Sequence, residues 1–331
     1  MNKMVKLISH KAVAIAVTGA LFMNSSAVAE DVFLRAEAFT KSLPDVVSPV
    51  TVWGYSECDA TFTTCGAPSS PGPAITVGAG DTNLNITLQN SLTVDTSIYV
   101  PTANKSLSPA TFLDLQGRSR IRSFDIEVSP GASQTYSWTN LRPGTHTYHS
   151  GSHVQLQVHM GLYGAVEKDA VCSGAGTSCV YPDVDYDVAQ TLVFSEVDES
   201  LHDPATPANA TVEGYLPRHF LINGEANDSA TAAPVITVNA NDRVLLRMVN
   251  SGLRNIAPQL LGGYFEIVGQ DSHRSPTSRS QYNTLLPASK TLDVIFTPTQ
   301  AGTYTLFDRR LSLVNGVGSR SGMLTRIEVL P

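Results

Sequence analysis

From Asp31 onward, short runs of hydrophobic residues alternate with polar ones, and clusters of Gly, Pro, Asn and Asp separate the runs. Runs rich in Val, Ile, Thr and Tyr with a period of two residues are typical of half-buried strands, and the clusters between them of turns. No segment after the N-terminus shows the 3.6-residue apolar period of a long helix. The pattern therefore predicts an all-β chain.

The alternation also places individual elements, although it defines their ends less sharply than their existence. Residues 56–73 and 102–118 are expected to be loops, because they lack an alternating run. Strands are predicted at residues 32–38, 50–55, 121–128, 134–138 and 190–196, with two more between 74 and 89 that are hinged at residues 78–81.

The second half of the chain repeats the first at an offset near 160 residues. Residues 75–81 read Ile-Thr-Val-Gly-Ala-Gly-Asp, and residues 236–242 read Ile-Thr-Val-Asn-Ala-Asn-Asp. Pro-Gly-Thr-His-Thr at 143–147 is similarly answered by Ala-Gly-Thr-Tyr-Thr at 301–305. This repeat predicts two tandem Greek-key β-sandwich domains of ordinary size, at residues 30–187 and 188–331.

The N-terminus has the features of a secretory signal. Lys3, Lys6 and Lys11 precede an apolar run at residues 12–23, and Ala27-Val-Ala29 supplies small residues for cleavage. The run is too short to span a bilayer, and no later run approaches that length. We expect residues 1–29 to be removed and the mature chain to be periplasmic or secreted, with no membrane span.

Composition adds little to these predictions, except that it excludes one class of partner. The chain has 331 residues, of which 42% are hydrophobic, so it can form large cores. Its formal net charge is −7, and basic residues do not cluster, so nucleic acid is not an expected partner.

Four cysteines, Cys58, Cys65, Cys172 and Cys179, form two pairs that are each separated by six residues. Exported chains favour disulfides, and four cysteines allow three connectivities. We favour the two local pairs, Cys58–Cys65 and Cys172–Cys179. The alternative, a zinc site made of four thiolates, has wider spacings than are usual for such sites.

The strongest chemical signal lies in residues 144–167, which contain His146, His149, His153 and His159 and also Met160. Imidazole is the commonest metal ligand in proteins. His149 and His153 share a face of either a strand or a helix, whereas His146 has the opposite strand parity to His149. The cluster predicts a metal site, and the alternative is a set of surface or hydrogen-bonded histidines.

The remaining histidines of the mature chain are expected to have ordinary roles. His219 is predicted to be a structural residue at the start of a strand. His202 and His273 lie in polar segments and are expected to be solvated rather than to bind metal.

Several of these segments resemble the multicopper oxidase signature. Gly144-Thr-His-Thr-Tyr-His149 followed by Gly161-Leu-Tyr-Gly164 is similar to its Gly-Thr strand, Tyr-His pair and Gly-Leu-x-Gly motif. Thr96-Ser-Ile98 and Phe220-Leu-Ile-Asn-Gly224 resemble two further landmarks. Because the resemblance spans nearly the whole mature chain, it implies two cupredoxin-like domains, as in two-domain multicopper oxidases and copper nitrite reductases.

The same resemblance implies copper as the cofactor. It also implies a homotrimer in which copper lies between domain 1 of one subunit and domain 2 of the next. His149 matches a family ligand, and His153 matches the following one if Gly151-Ser152 is an insertion. His159 has no clear motif position, and His146 replaces a residue that is usually aromatic.

The chain departs from the family at most copper-ligand positions. Tyr99-Val-Pro101 stands where the family has His-x-His, and Ala257-Pro-Gln-Leu260 where it has a His-Pro-x-His motif. Phe307-Asp-Arg309 replaces the final His-Cys-His block, and no cysteine lies near either position. A blue copper site needs a thiolate ligand, so none is expected.

The sequence therefore favours an exported copper oxidoreductase with a reduced copper set bound by histidines of domain 1. Two alternatives stay open: a protein for copper storage, delivery or resistance, and a degenerate structural partner subunit. In domain 2, we expect Asp308 to accept a hydrogen bond from a guanidinium group in place of the lost site. Arg309 and Arg310 could instead recognise an anionic substrate.

Overall fold

The computed structural model describes residues 29–174, 178–202, 213–228, 234–316 and 321–331. The predicted signal segment lies outside these residues except for Ala29, the first residue of β1. The predicted all-β fold is confirmed, and its strands build two successive sandwiches.

The first sandwich is made by two sheets with strand orders β2-β1-β4-β7 and β3-β9-β8, and a separate hairpin, β5–β6, lies beside them. Its strands are β1 Ala29–Lys41, β2 Val50–Glu57, β3 Ile75–Val77, β4 Asn83–Asn90, β5 Ala110–Leu113, β6 Ser119–Ser123, β7 Ser133–Trp138, β8 Gly144–His149 and β9 Tyr163–Lys168. A short helix, α1 (Val154–Met160), connects β8 to β9.

The second sandwich follows a small hairpin, β10 Ser178–Tyr181 and β11 Val184–Tyr186. Its sheets have the orders β13-β12-β16-β20-β18-β19 and β15-β23-β21-β17, and β14 pairs with β22. Its strands are β12 Val188–Val197, β13 His219–Ile222, β14 Asn227–Asp228, β15 Pro234–Asn239, β16 Val244–Asn250, β17 Pro258–Leu261, β18 Phe265–Gln270, β19 His273–Gln281, β20 Thr291–Phe296, β21 Gly302–Asp308, β22 Ser321–Gly322 and β23 Leu324–Leu330.

Strand pairing repeats between the two sandwiches, as the sequence repeat predicts. β1 lies parallel to β4, which pairs antiparallel with β7. β12 and β16 are likewise parallel, and β16 pairs antiparallel with β20. Each sandwich encloses its own apolar core, which contains Trp138 in the first and Phe265 in the second. The boundary between residues 187 and 188 itself remains a prediction.

Burial along single strands explains how the sandwiches meet. β4 alternates between partly buried and buried positions, as expected for a strand with one face on a core. β8 and β16 are buried at every position because each strand also packs against the other sandwich. The strand that carries His146 and His149 therefore lies at the junction of the two sandwiches.

Two sequence expectations about the first sandwich are wrong in detail. β5 lies inside the predicted loop 102–118, and β6 ends at Ser123 rather than continuing to residue 128. β5 escapes detection because its four residues are mostly exposed and are held only by pairing with β6. Hairpins that pack on no core carry little hydrophobic pattern.

The favoured disulfide connectivity is confirmed, with Cys58 bonded to Cys65 and Cys172 to Cys179. All four thiols are therefore used, and the zinc alternative is wrong. Of the described helices, none has the length and apolar content that a membrane span requires.

Candidate copper centre

The histidine segment forms a strand, a break and a short helix. β8 ends at His149, Ser150–Ser152 make the break, and His153 is the N-terminal cap of α1 with a left-handed backbone (φ 40°). Because neighbouring positions alternate along a strand, His146 and His149 point to opposite faces of β8. The four histidines do not converge, and nowhere in the described ranges do three His, Cys, Asp or Glu side chains lie close enough to hold a metal ion.

His146 is buried, and both of its ring nitrogens are engaged. Nε2 lies 2.8 Å from the carbonyl oxygen of Arg142, and Nδ1 lies 2.6 Å from the hydroxyl of Thr102. Since a carbonyl only accepts, Nε2 carries the proton and Nδ1 accepts from Thr102. Burial lowers the pKa of His146, which favours this neutral form. No lone pair of His146 is left to bind a metal in this arrangement.

His149 has the opposite disposition. Its Nδ1 donates to the carbonyl oxygen of Ser150 at 2.8 Å, while Nε2 makes no hydrogen bond within the part of the chain that the structure describes. Burial lowers the pKa of His149, so that the ring is neutral and Nε2 presents a lone pair. Metal-binding histidines commonly donate their other N–H to a carbonyl group in this way. His149 is therefore arranged as a ligand.

Tyr99, the first residue of the segment that resembles an altered ligand motif, lies directly beside His149. Tyr99 and His149 form an antiparallel bridge through backbone hydrogen bonds of 2.8 and 3.0 Å. Their rings meet edge to face with centroids 5.7 Å apart. The fold thus preserves the spatial pairing of the two motifs, but one partner is a phenol.

His153 is exposed and lies at the rim of a groove of about 310 Å³. Phe112, Phe124 and Arg122 also line this groove. Just before His153, a bridge joins Ser152 to Ser123, and their hydroxyls lie 3.1 Å apart. The His153 side chain is therefore accessible to a metal ion, but it does not contact His146 or His159.

His159 is buried in α1 and points toward the second sandwich. Its Nε2 lies 3.3 Å from the backbone nitrogen of Asp198, and its ring lies 5.0 Å from that of His202, centroid to centroid. Desolvation, with a smaller contribution from His202, lowers the pKa of His159 to about 4. His159 therefore belongs to a separate group at the junction.

The expectation that His202 is solvated is wrong, since only 3% of it is exposed. Asp198 caps a 3₁₀ turn at Glu199–Leu201 by accepting from the Ser200 backbone, and the chain folds His202 back beneath α1. A capping Asp before a short turn is the one sequence signal for this arrangement. This signal predicts the turn, but it does not predict that α1 will pack over His202.

In the second sandwich, the lost ligand positions are adjacent and filled. Pro258 pairs with Asp308 between β17 and β21, so the two altered motifs meet in space. The Asp308 carboxylate accepts from the backbone N–H groups of Ala257 and Arg310 and from the hydroxyl of Ser312. The expected guanidinium donor is not among these contacts. These hydrogen bonds satisfy the carboxylate where copper ligands would otherwise stand.

A buried glutamine holds the break after β8 in place. Gln157 accepts from the hydroxyls of Thr96 and Ser150 at 2.8 and 2.6 Å and donates to the carbonyl of Asp95 at 2.8 Å. Gly161 ends α1 with φ 122°, where a Cβ would lie 2.2 Å from the carbonyl oxygen of Trp53. These contacts fix the ends of the segment that carries His149.

Comparison with known proteins assigns the family. Two family models, both described as multicopper oxidase, match residues 57–167 and 191–325. Together they cover most of the 331-residue chain, so it belongs to the multicopper oxidase family. No curated protein gave a significant sequence match.

Solved structures of this fold are similar over almost the entire chain. A blue copper oxidase from Nitrosomonas europaea is 18% identical with a TM-score of 0.69, and the match covers 91% of this chain and 85% of that one. The multicopper oxidase mgLAC is 16% identical with a TM-score of 0.71, and the match covers 92% of this chain and 88% of that one. The copper nitrite reductase from Nitrosomonas europaea is 19% identical with a TM-score of 0.66, and the match covers 92% of this chain and 94% of that one. At these identities the likeness shows the fold.

Family and fold together define an oxidoreductase-like copper protein, and the family supports copper as its cofactor. The residues of one chain fit that cofactor only in part. His149 is oriented as a ligand, whereas Tyr99 beside it supplies a phenol, and Asp308 in the second sandwich supplies a carboxylate that is already hydrogen-bonded. A complete multicopper set therefore does not fit the described residues of a single chain.

Proposed function

We propose that this chain is an exported copper-binding protein whose reduced copper set is built on His149 and lacks a blue centre. The observation that carries the proposal concerns the two nitrogens of the His149 ring. Nδ1 is fixed by the carbonyl of Ser150, and Nε2 has no hydrogen bond to any described residue. Neutral imidazole binds both oxidation states of copper. The chain thus keeps one oriented ligand at a position where the family binds metal.

One imidazole cannot hold copper alone, so further ligands have to come from outside the chain. We propose a homotrimer that gathers His149 side chains, with the exposed His153 side chains as additional ligands. The copper nitrite reductase resemblance supports this assembly, since it implies sites shared between subunits. The second sandwich would contribute structure rather than ligands, because Asp308 is already satisfied by three donors.

Storage, delivery or resistance is the role that this arrangement supports best. A blue centre relays electrons through its thiolate, and every cysteine here is in a disulfide. Copper bound through imidazoles alone would be held and exchanged without that relay. The His149 side chain would bind the ion, Ser150 would orient the ring, and Tyr99 would exclude water from one side.

A second candidate is a copper oxidoreductase in which substrate and oxidant meet at the same metal. The groove beside His153 favours it, because Phe112 and Phe124 could admit a small substrate close to the histidine segment. This activity would depend on His149 as strictly as copper binding does. The two candidates differ only in whether bound copper supports turnover.

The test is metal stoichiometry with a matched variant. The mature chain is purified, loaded with copper(II), dialysed and analysed for copper per chain and for oligomeric state. We expect His149→Ala to lose the bound copper and His273→Gln, an exposed control, to retain it. Full stoichiometry in His149→Ala would refute the proposed centre. Oxygen- or nitrite-dependent turnover by the loaded chain would select the oxidoreductase over storage.

A further inference from the structure

A second group of histidines lies away from His149, at the junction of the two sandwiches. His159 comes from α1 of the first sandwich, and His202 follows the 3₁₀ turn after β12 of the second. Their rings lie 5.0 Å apart, and 6% and 3% of the two residues are exposed. The sequence separation of 43 residues, 202 minus 159, hides this pair from any motif search.

His202 has a buried nitrogen without a partner. Its Nδ1 donates to the carbonyl oxygen of Thr51 at 2.9 Å, which leaves a lone pair on Nε2. That Nε2 makes no hydrogen bond to any described residue and is shielded from solvent. An unpaired buried acceptor is costly, and such groups in native proteins commonly mark an ion or an ordered water.

His159 makes only long hydrogen bonds through Nε2, so this nitrogen can serve as the second metal ligand. Its Nε2 lies 3.3 Å from the backbone nitrogen of Asp198 and 3.5 Å from its carbonyl oxygen, both longer than a strong hydrogen bond. Because the backbone N–H of Asp198 only donates, Nε2 of His159 accepts from it and Nδ1 carries the ring proton. An ion at Nε2 would therefore replace one long hydrogen bond of His159, whereas the Nε2 lone pair of His202 is already unpaired among the described residues.

We propose that His159 and His202 form an interdomain site for one copper(I) ion, distinct from the centre at His149. A metal–imidazole bond is about 2 Å long, so two rings that share an ion have centroids about 4.5 to 6 Å apart. The observed ring separation lies in this range.

The charge of the surroundings selects a monovalent ion. Asp198 and Glu199 lie around the pair, but the Asp198 carboxylate accepts from the backbone N–H of Leu216 and from Ser200, and the Glu199 carboxylate lies 2.6 Å from Nε2 of His219. A buried divalent ion without a carboxylate ligand would carry a large desolvation cost. Two neutral imidazoles suit copper(I), which accepts two or three ligands; the ring separation of 5.0 Å corresponds to a bent arrangement with room for a third ligand, and the nearby acidic groups balance the single charge.

The protonation state of the pair is compatible with this site. Burial lowers the pKa of both rings, so both are neutral at pH 7 and need not release a proton on binding. This site lies outside the family's copper motifs, and it stands whether or not His149 binds metal.

The experiment uses the His149→Ala chain, which removes the first centre, and copper(I) under anaerobic conditions against a chromophoric competitor. We expect one copper(I) per chain in His149→Ala, and none when His202→Gln or His159→Gln is added. Adding His273→Gln instead should leave the ion bound. No copper(I) in His149→Ala, or the same amount after adding His202→Gln, would overturn the proposal.

A variant could lose the ion only because it fails to fold, so a second measurement uses the unaltered chain. Silver(I), a redox-inert probe for copper(I), is added while the imidazole nitrogens are followed by long-range ¹H–¹⁵N NMR. We expect the His159 and His202 ring nitrogens to shift together at one equivalent. A His202 signal that does not respond to silver(I) would overturn the proposal. Failure of the proposed function would appear separately, as unchanged copper(II) binding in His149→Ala.

Discussion

The hydroxyl of Tyr181 donates a 2.7 Å hydrogen bond to the carboxylate of Asp293, which is fully buried between the two sandwiches. Asp293 also accepts from the backbone and side chain of Thr145, and Thr145 lies one residue before His146 on β8. Arg247, also buried, donates to Thr145 and to Asp169. This network joins the strand of the candidate copper centre to the second sandwich.

We predict that Asp293→Ala destabilises the chain by about 3 to 5 kcal/mol, because the Tyr181 hydroxyl and the N–H and hydroxyl of Thr145 lose their buried acceptor, while Arg247 keeps its ion pair with Asp169. Urea unfolding followed by circular dichroism measures this loss. The matched control is Asp185→Ala, which breaks an exposed ion pair with Arg243 and should cost about 1 kcal/mol or less. Equal costs for the two substitutions would contradict the role given to the network.

The buried amide of Gln157 provides a second stability test. Gln157→Leu keeps the approximate volume but leaves the hydroxyls of Thr96 and Ser150 without their acceptor. We expect a loss of about 2 to 3 kcal/mol and a weaker copper site, because Ser150 orients His149. Gln155→Leu, at an exposed position of the same helix, should change stability by less than about 0.5 kcal/mol. The idea fails if both variants unfold at the same urea concentration.

These buried networks also show where sequence reasoning stops. The alternation of Leu84, Ile86 and Leu88 predicts β4, and the repeated Ile-Thr-Val segments predict two similar sandwiches. Such inferences succeed because hydrophobic period and local spacing act within one element. Local spacing likewise identified both disulfides.

The centre itself was only partly predictable. His149 was found through its motif, but the orientations of His146 and His159 depend on contacts with residues far away in sequence, such as Thr102 and Asp198. α1 has seven residues, too few to show a helical period, and its form depends on tertiary packing. The burial of His202 has the same origin.

The junction should make the metal-free chain sensitive to acid. Burial lowers the pKa of His146, whereas an unfolded chain takes up this proton near the ordinary value of about 6.5. Stability from this group is therefore complete above about pH 6.5 and is lost as pH falls toward the lower folded pKa.

The measurement is the free energy of unfolding of the metal-free chain between pH 7 and pH 5. His146→Gln should reduce the slope by up to about 1.4 kcal/mol per pH unit, the limit for one proton. A slope that is identical in His146→Gln and the unaltered chain would show that His146 is not a source of the acid sensitivity.

Spectroscopy tests the absence of a thiolate ligand. Because all four cysteines are in disulfides, the copper(II)-loaded chain should lack the intense blue band that copper–thiolate sites show at about 600 nm. Its electron paramagnetic resonance spectrum should be that of copper with nitrogen and oxygen ligands. An intense blue band would show a copper–thiolate bond and would refute the absence of a thiolate ligand.

Restoring a lost ligand should strengthen the centre at His149. Tyr99 and His149 are directly opposed in an antiparallel bridge, where Cβ atoms lie about 4.5 to 5.5 Å apart, so two imidazoles at these positions can reach one ion. We predict that Tyr99→His binds copper(II) about tenfold more tightly or better, which corresponds to about 1.4 kcal/mol. Isothermal titration gives the affinity, and nitrogen hyperfine coupling counts the imidazoles. Tyr99→Phe is the matched control and should show no gain, since phenylalanine supplies no lone pair. If the two variants bind copper equally, the bridge does not direct both side chains toward a common ion, and His149 then depends wholly on ligands from neighbouring chains.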